Sequence, residues 1–410
     1  YKVRAGGVWK DVTGGTITVA TNFTTGVLNN LSLPAECDGV DTLYIHWTRN
    51  SSIAVNGSAT ASGGTSRIDD IFVKGTKMQY VSGYNGLSVS ATSATISGLA
   101  PLTNYYYQVK GVGQSGTPSS LSNTISLTTN ADQSIADYRT KASGNMSDAN
   151  IWEYLYDGVN YVAATQAPGA NNNTVIRATD SVYLDVDQNI GSGKTMTING
   201  IMNANAKLLF GNGSVVVAPA STFYTAHANG LASSGSISTT SKTLSDSANY
   251  VYTGTVAQTT GGLPTPLKGN VIIYNNSSLN VSTSRVITAP GSFIVKSGAV
   301  VTFGSGVSTN SYSLTGTGNF IAESGSTLIL TSSNGISVPN PGVDTLGNIR
   351  LTGTRSFASG INYNFTKNDG ASISRFGTSF GTEITGINNL TINNPIGALM
   401  NASNVTVNGT

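Results

Sequence analysis

The chain has 410 residues, of which only 10% are charged, with a net charge of +2. That length allows several domains, and the charge is too small for a nucleic-acid partner. With 39% hydrophobic residues and 48 glycines, a polar but uncharged chain rich in Val, Ile, Thr and Tyr reads as all-β with many tight turns rather than as disordered.

Residues 1–75 alternate in places. GTITVA, DTLYIHWT and RIDDIFVKG each put apolar residues at every second position. Leu43, Ile45 and Trp47 would share one strand face and Tyr44, His46 and Thr48 the other, leaving His46 at the surface. The run from Trp9 through LSLPAECDGVDTLYIHWTRN to GGTSRIDDIFVKG resembles the closing half of a jelly-roll module, as found in large secreted bacterial proteins and carbohydrate-binding families. The resemblance implies that Asp69 or Asp70 could be a structural calcium ligand. As strand neighbours they point to opposite faces and cannot chelate together. The ends, YKVRA and NVTVNGT, are both strand-like and suggest a piece of a longer protein.

Residues 76–130 carry a sharper pattern. Leu99, Pro101, Thr103, Tyr105 and Val109 form L-x-P-x-T-x-Y-x-x-x-V, which is similar to the last strands of a fibronectin type III module. Pro101 fixes a corner. The resemblance implies that the Tyr105 hydroxyl bonds back to the backbone while its ring packs inside, with Tyr107 and Val109 on the same face. Little room precedes this stretch, so either LPAECD–TLYIHWT supplies the missing strands or the module is incomplete.

Residues 131–173 read as a linker and a cap. After NADQSIAD, the stretch YRTKASGNMSDANIWEYLYDG resembles the lead-in before β-helical repeats in secreted proteins of the type IX secretion pathway, with Met146 where that family usually has tryptophan. Trp152, Tyr154 and Tyr156 alternate and would cover the end of a stack, which otherwise exposes an apolar face.

Residues 174–410 are repetitive. SFIVKSGAVVTF from Ser292 aligns with NFIAESGSTLIL from Asn319 without a gap, at an offset of 27. Phe293 falls on Phe320, Lys296 on Glu323 and Gly298 on Gly325. A longer echo joins ANYVYTG and VIIYNN to INYNFTK and LTINN. Strands of four or five residues cannot bury a core as hairpins but can when stacked. The expected fold class is all-β: β-sandwich modules, one a jelly-roll fragment and one fibronectin type III-like, followed by a right-handed parallel β-helix over 174–410. In it Phe293 and Val295 point inward, and Lys296 pairs with Glu323 outside.

Sites are sparse. Cys37 is the one cysteine, so an intrachain disulfide framework or cysteine zinc site is excluded and a buried small hydrophobe is expected. His46 and His227 lie far apart, and no apolar run reaches the roughly 20 residues of a membrane span. In 174–410 the one tight acidic group is Asp180, Asp185 and Asp187; Asp185 and Asp187 share a strand parity and are weak calcium candidates. Asp-(Ser/Thr)-small motifs, O-glycosylated in type IX exporters, mark Thr42, Ser181, Ser247 and Thr345. No catalytic residue and no cofactor is expected, apart from structural calcium. These readings describe a non-catalytic adhesin or structural protein of the outer cell surface. Its partners would be surface glycans or other surface and secretion-system proteins, with oligomeric state left open. A polysaccharide-binding or polysaccharide-degrading β-helix protein, a lyase or hydrolase, is the alternative.

Overall fold

The structure, a computed structural model, describes residues 1–18, 26–37, 40, 42–60, 68, 71–75, 79–114, 116–304, 311–336, 347–367, 374–375, 383–384, 386–399 and 406–409. The chain is all-β and divides into two compact units, Tyr1–Asn130 and Ala131–Thr410.

In the first unit, strands Asn104–Tyr107 and Ile125–Thr128 pair antiparallel, with Tyr105 opposite Leu127. The corner before them follows the spacing of the motif. The Tyr105 hydroxyl accepts the Ala100 N–H at 2.8 Å, and the Thr129 hydroxyl donates to the Ala100 carbonyl at 2.5 Å. The expected inner face is not formed. Tyr105 is half-buried, and Tyr107 and Val109 are exposed, because among the described residues the two-stranded ribbon has no second sheet to bury them.

Residues 1–75 also depart from expectation. Among the described residues they hold a 3-10 turn at Ala35–Cys37 and the isolated bridges Lys2–Tyr44 and Ile53–Ala59, but no strand. Alternation makes a strand only where a neighbouring edge and an apolar layer meet it. Here Trp47 is exposed. The Lys2 ammonium instead lies 5.0 Å from the Trp9 ring centre and 4.7 Å from that of Tyr44. His46 is exposed, with its ring 5.1 Å from Trp9.

The second unit is a set of parallel sheets. The longest has nine strands in spatial order: Gly144–Asn145, Ser181–Tyr183, Ile201–Asn203, Thr222–Thr225, Asn249–Tyr252, Val271–Ile273, Ser292–Val295, Asn319–Ala322 and Arg355–Phe357. Every neighbouring pair is parallel, and spatial order equals sequence order. Between two strands of this long sheet the chain visits others. From Val271–Ile273 it passes to Leu279–Asn280 in a six-stranded sheet, then to Arg285–Val286 in a three-stranded one. It returns as Ser292–Val295, one rung further on. Residues 138–145, read in the sequence as lead-in, already supply the first rung: Tyr138–Thr140 is parallel to Thr174–Ile176 and Gly144–Asn145 to Val182–Tyr183. Strands Trp152–Leu155 and Tyr161–Ala163 then extend that end antiparallel. Trp152 is buried and its indole N–H donates to the Met146 carbonyl at 3.0 Å, while the rings of Tyr138, Tyr154 and Tyr156 cluster beside it.

Three columns join the rungs. Inside, Val271, Phe293 and Phe320 are in register and fully buried. At corners before several strands of the long sheet, polar side chains tie one rung to the next. Asn249 Oδ1 accepts the Asn270 N–H at 3.0 Å, Asn270 Oδ1 the Ser292 N–H at 3.1 Å, and Asn319 Oδ1 the Thr354 N–H at 2.9 Å. Beside them run Gly291, Gly318 and Gly353. A Cβ on Gly318 would stand 2.7 Å from the Gly291 carbonyl oxygen, and one on Gly353 2.5 Å from that of Gly318. The rungs approach too closely there for any other residue.

The offset of 27 is met residue for residue. Phe293 pairs with Phe320, Ile294 with Ile321 and Val295 with Ala322, and Val301 pairs with Leu328. The longer echo has a different meaning. Asn249–Tyr252 and Val271–Ile273 are neighbours in the long sheet, whereas Asn362–Phe365 and Leu390–Ile392 are neighbours in the six-stranded sheet. The same sequence pattern for two neighbouring strands therefore recurs in a different sheet of the unit. An Asn corner followed by alternating buried aromatics suits either sheet.

Candidate functional site

The acidic group expected near Asp180 is dispersed into structural roles. Asp180 accepts the Thr140 hydroxyl at 2.5 Å and Arg177 Nε at 3.1 Å. Arg177 also approaches Glu153, which meets Arg139 at 2.5 Å. Burial pushes the Asp180 carboxyl up, but the bonds from Thr140, Arg177 and Thr179 outweigh it and hold it below the usual range. Asp185 accepts both the N–H and the hydroxyl of Ser147. Burial opposes ionisation here as well, and the Ser147 bonds again win. Asp187 accepts the Leu208 N–H at 2.9 Å. Asp185 thus faces the rung before and Asp187 the rung after. The strand ends at Tyr183, so strand parity no longer fixes their directions. Among the described residues, no group of three or more His, Cys, Asp or Glu stands close enough to share a metal ion.

Asp69, Asp70 and Thr345 lie outside the described residues. Thr42 is exposed. The Ser247 hydroxyl donates to its own Asp246 at 2.8 Å, and that carboxylate pairs with Lys268 at 2.8 Å. Cys37 is half-buried, not fully buried, on a three-residue turn none of whose residues is buried. His227 is structural: its Nδ1 accepts the Asn229 N–H at 3.1 Å and its carbonyl accepts Gln258 at 3.0 Å.

Ser181 sits elsewhere, in a shallow groove of about 510 Å³ on the outer face of the long sheet. Residues 181–183, 201–203 and 222–224 line up there by parallel register. Inward residues Val182, Met202 and Phe223 are buried in the core, so their neighbours point out. One outward column reads Asn145, Tyr183, Asn203, Tyr224. A second reads Ser181, Ile201, Thr222. Tyr183 is 41% exposed, and its hydroxyl accepts Asn205 Nδ2 at 2.9 Å, which fixes the ring on its rung. Beyond Tyr224 the first column turns aliphatic, through Val251, Ile272, Ile294 and Ile321.

No charged side chain lines this groove. It offers phenol rings, amides and a hydroxyl, which can stack and hydrogen-bond but supply no acid–base pair near neutral pH. The residues come from four separate strands, far apart along the chain, so no local motif announces them. The signal that could have found them is the register itself: strands SVY, IMN and TFYT aligned on their buried middle residues. Comparison with family models, with curated proteins and with solved structures finds no match for this chain.

Proposed function

We propose that this chain is a non-catalytic structural or adhesive protein of the outer cell surface, exported as a type IX secretion cargo. A right-handed parallel β-helical stalk, whose first rung comes from residues 138–145 and which continues through residues 174–410, displays the binding part of the chain, residues 1–75 and 76–130. The observation that carries this reading is the unbroken parallel register of the long sheet, with its phenylalanine, asparagine and glycine columns. Nine rungs at about 4.8 Å each give an axis of roughly 40 Å, stiffened along its length by inter-rung hydrogen bonds. The dispersal of Asp180, Asp185 and Asp187 among structural bonds supports the absence of chemistry. Fractionation of the producing cells, with peptide mass spectrometry, tests the reading. The chain should appear at the outer surface with sugar on the Ser181, Ser247, Thr42 and Thr345 peptides. Recovery in the cytoplasm of secreting cells, with all four bare, would overturn it.

A second reading, polysaccharide binding, is favoured by one observation, the uncharged aromatic groove of Tyr183 and Tyr224. The same groove disfavours the degrading form of that reading, since it holds no carboxylate. Cleavage of pectin or alginate that is lost in Asp187→Asn would restore it.

A further inference from the structure

We propose that the groove on the outer face of the long sheet binds an extended, uncharged, β-1,4-linked glycan lying along the stack. In this arrangement Tyr183 and Tyr224 stack against sugar rings while Asn145 and Asn203 hydrogen-bond hydroxyls. The proposal rests on the polysaccharide-binding reading and gives it a site and a substrate class.

The geometry follows from the register. Tyr183 pairs with Asn203 and Asn203 with Tyr224, so the two rings stand two rungs apart, about 10 Å. An extended β-1,4-linked chain presents the same ring face at every second sugar, over a length of the same order. The apolar face of a hexose matches a phenol ring, and its equatorial hydroxyls match an amide, which both donates and accepts. Alternation of phenol and amide along one column therefore matches alternation of ring face and hydroxyl edge along one chain. Tyr183 is held in place by Asn205 before any ligand arrives, so little side-chain freedom is lost on binding. Ser181 and Ile201 form the other wall.

Other ligands fit less well. The groove has no cation for a uronate, a phosphate or a nucleic acid. A peptide strand would need a free backbone edge: Ser181–Tyr183, Ile201–Asn203 and Thr222–Thr225 are paired on both sides, and a strand added at the end strand Gly144–Asn145 would lie beyond Tyr183 and Tyr224 rather than across them. The aliphatic continuation through Val251 and Ile272 limits the polar column to the first four rungs.

Titration calorimetry of the full chain with cellohexaose, xylohexaose and mannohexaose tests this. Maltohexaose and a galacturonate hexamer serve as the α-linked and anionic comparisons. At least one of the three neutral β-linked hexamers should bind more tightly than both comparisons. Tyr183→Ala and Tyr224→Ala should each weaken it about tenfold, and Tyr224→Phe should stay within about threefold, since the ring is kept. Unchanged melting curves confirm folding. Tyr183→Ala, at the more exposed position, carries the test if Tyr224→Ala does not fold. Full binding by the Tyr183→Ala/Tyr224→Ala variant would overturn this site and leave the polysaccharide-binding reading standing. No binding of any neutral hexamer by the wild type would overturn both. Tighter binding of the galacturonate hexamer would overturn the substrate class.

Discussion

Phe293 lies flat against Phe320, ring centres 6.1 Å apart and planes 8° apart. They stand on successive rungs, and Phe357 adds a third ring 5.3 Å from Phe320. Phe357 is not in the same column: it pairs with Ala322, whose small side chain leaves room for it to reach across diagonally. Phe320 therefore touches rings on both sides. Phe320→Ala should cost about 3–5 kcal/mol of unfolding free energy, and Phe357→Ala less, because Phe357 is only half-buried. Denaturant unfolding of the two variants checks the order. Equal losses would mean that the diagonal contact adds nothing to Phe320.

That column is legible because both signals for it lie in the sequence. A gapless 27-residue repeat fixed the register, and the charge on Lys296 fixed which parity faces out. Ile294 is half-buried and Phe293 and Val295 are buried, in agreement. The alternation of Trp152, Tyr154 and Tyr156 is likewise plain in the sequence, and the first two are buried while the third is partly so. In residues 1–75 the strands rest on alternation alone, with no repeat to supply a partner, and the described residues there pair only at isolated bridges. The Tyr183–Tyr224 groove stayed hidden because its residues come from rungs with no sequence repeat between them. Its unity lies in hydrogen-bond register, which composition does not encode.

The Lys296–Glu323 pair is expected to be weak. Nζ and Oε1 are 2.5 Å apart, but the side chains are 30% and 39% exposed. A double-mutant cycle with Lys296→Ala and Glu323→Ala should return a coupling of up to about 1 kcal/mol that fades in high salt. The Glu323 hydrogen bond to Lys296 raises the lysine and lowers the glutamate. The lysine's contribution is lost as pH rises through its folded value, and the glutamate's as pH falls through its own. Coupling should therefore be present across the middle of the pH range and vanish at both ends. A coupling that survives high salt unchanged would contradict this.

Two glycines separate space from backbone strain. At Gly318 an added Cβ would lie 2.6 Å from Ile287 Cγ2 and 2.7 Å from the Gly291 oxygen. At Gly298 φ is +77° but nothing stands within 4 Å. Gly298→Ala should cost about 1–2 kcal/mol through the left-handed backbone. Gly318→Ala should cost more, about 3 kcal/mol, since two rungs must part. Thermal unfolding of both variants decides; a smaller loss at Gly318 would show that the rungs separate easily.

Asn275 turns the corner between the long and six-stranded sheets with its side-chain amide making four hydrogen bonds. Its Oδ1 accepts the Ser277 and Ser278 N–H groups at 2.8 and 2.9 Å. Its Nδ2 donates to the Val256 carbonyl and to Gln258 Oε1, both at 2.8 Å. Asn275→Leu removes hydrogen bonds to two rungs, but Gln258 Oε1 keeps the Gly254 N–H and water can reach Ser277 and Val256, so it should cost about 1–3 kcal/mol. Hydrogen exchange should accelerate first at Ser277 and Ser278. Uniform exchange across the unit would instead point to global loosening.

Asp180 gives the unit an acid-sensitive joint. It is 8% exposed at the side chain and bonds Thr140 from the first rung and Arg177 from the next. Burial favours the neutral acid, but these hydrogen bonds outweigh it, so the folded pKa lies below the ordinary value. For a lowered carboxyl, the unfolded chain takes up the proton first. The stabilisation is then complete above the unfolded value, about 3.9. It falls as pH drops through that value and is gone below the folded one. At neutral pH Asp180→Asn should cost about 2 kcal/mol, the order of a hydrogen bond to a charged group. Below the carboxylate range the two proteins should converge. Asp185 and Glu323 are lowered too, so both proteins lose stability in acid, and the difference between their curves isolates Asp180. Unfolding free energies measured from pH 7 to pH 2 decide the matter: a constant gap between wild type and variant would show that Asp180 does not hold the joint through its charge.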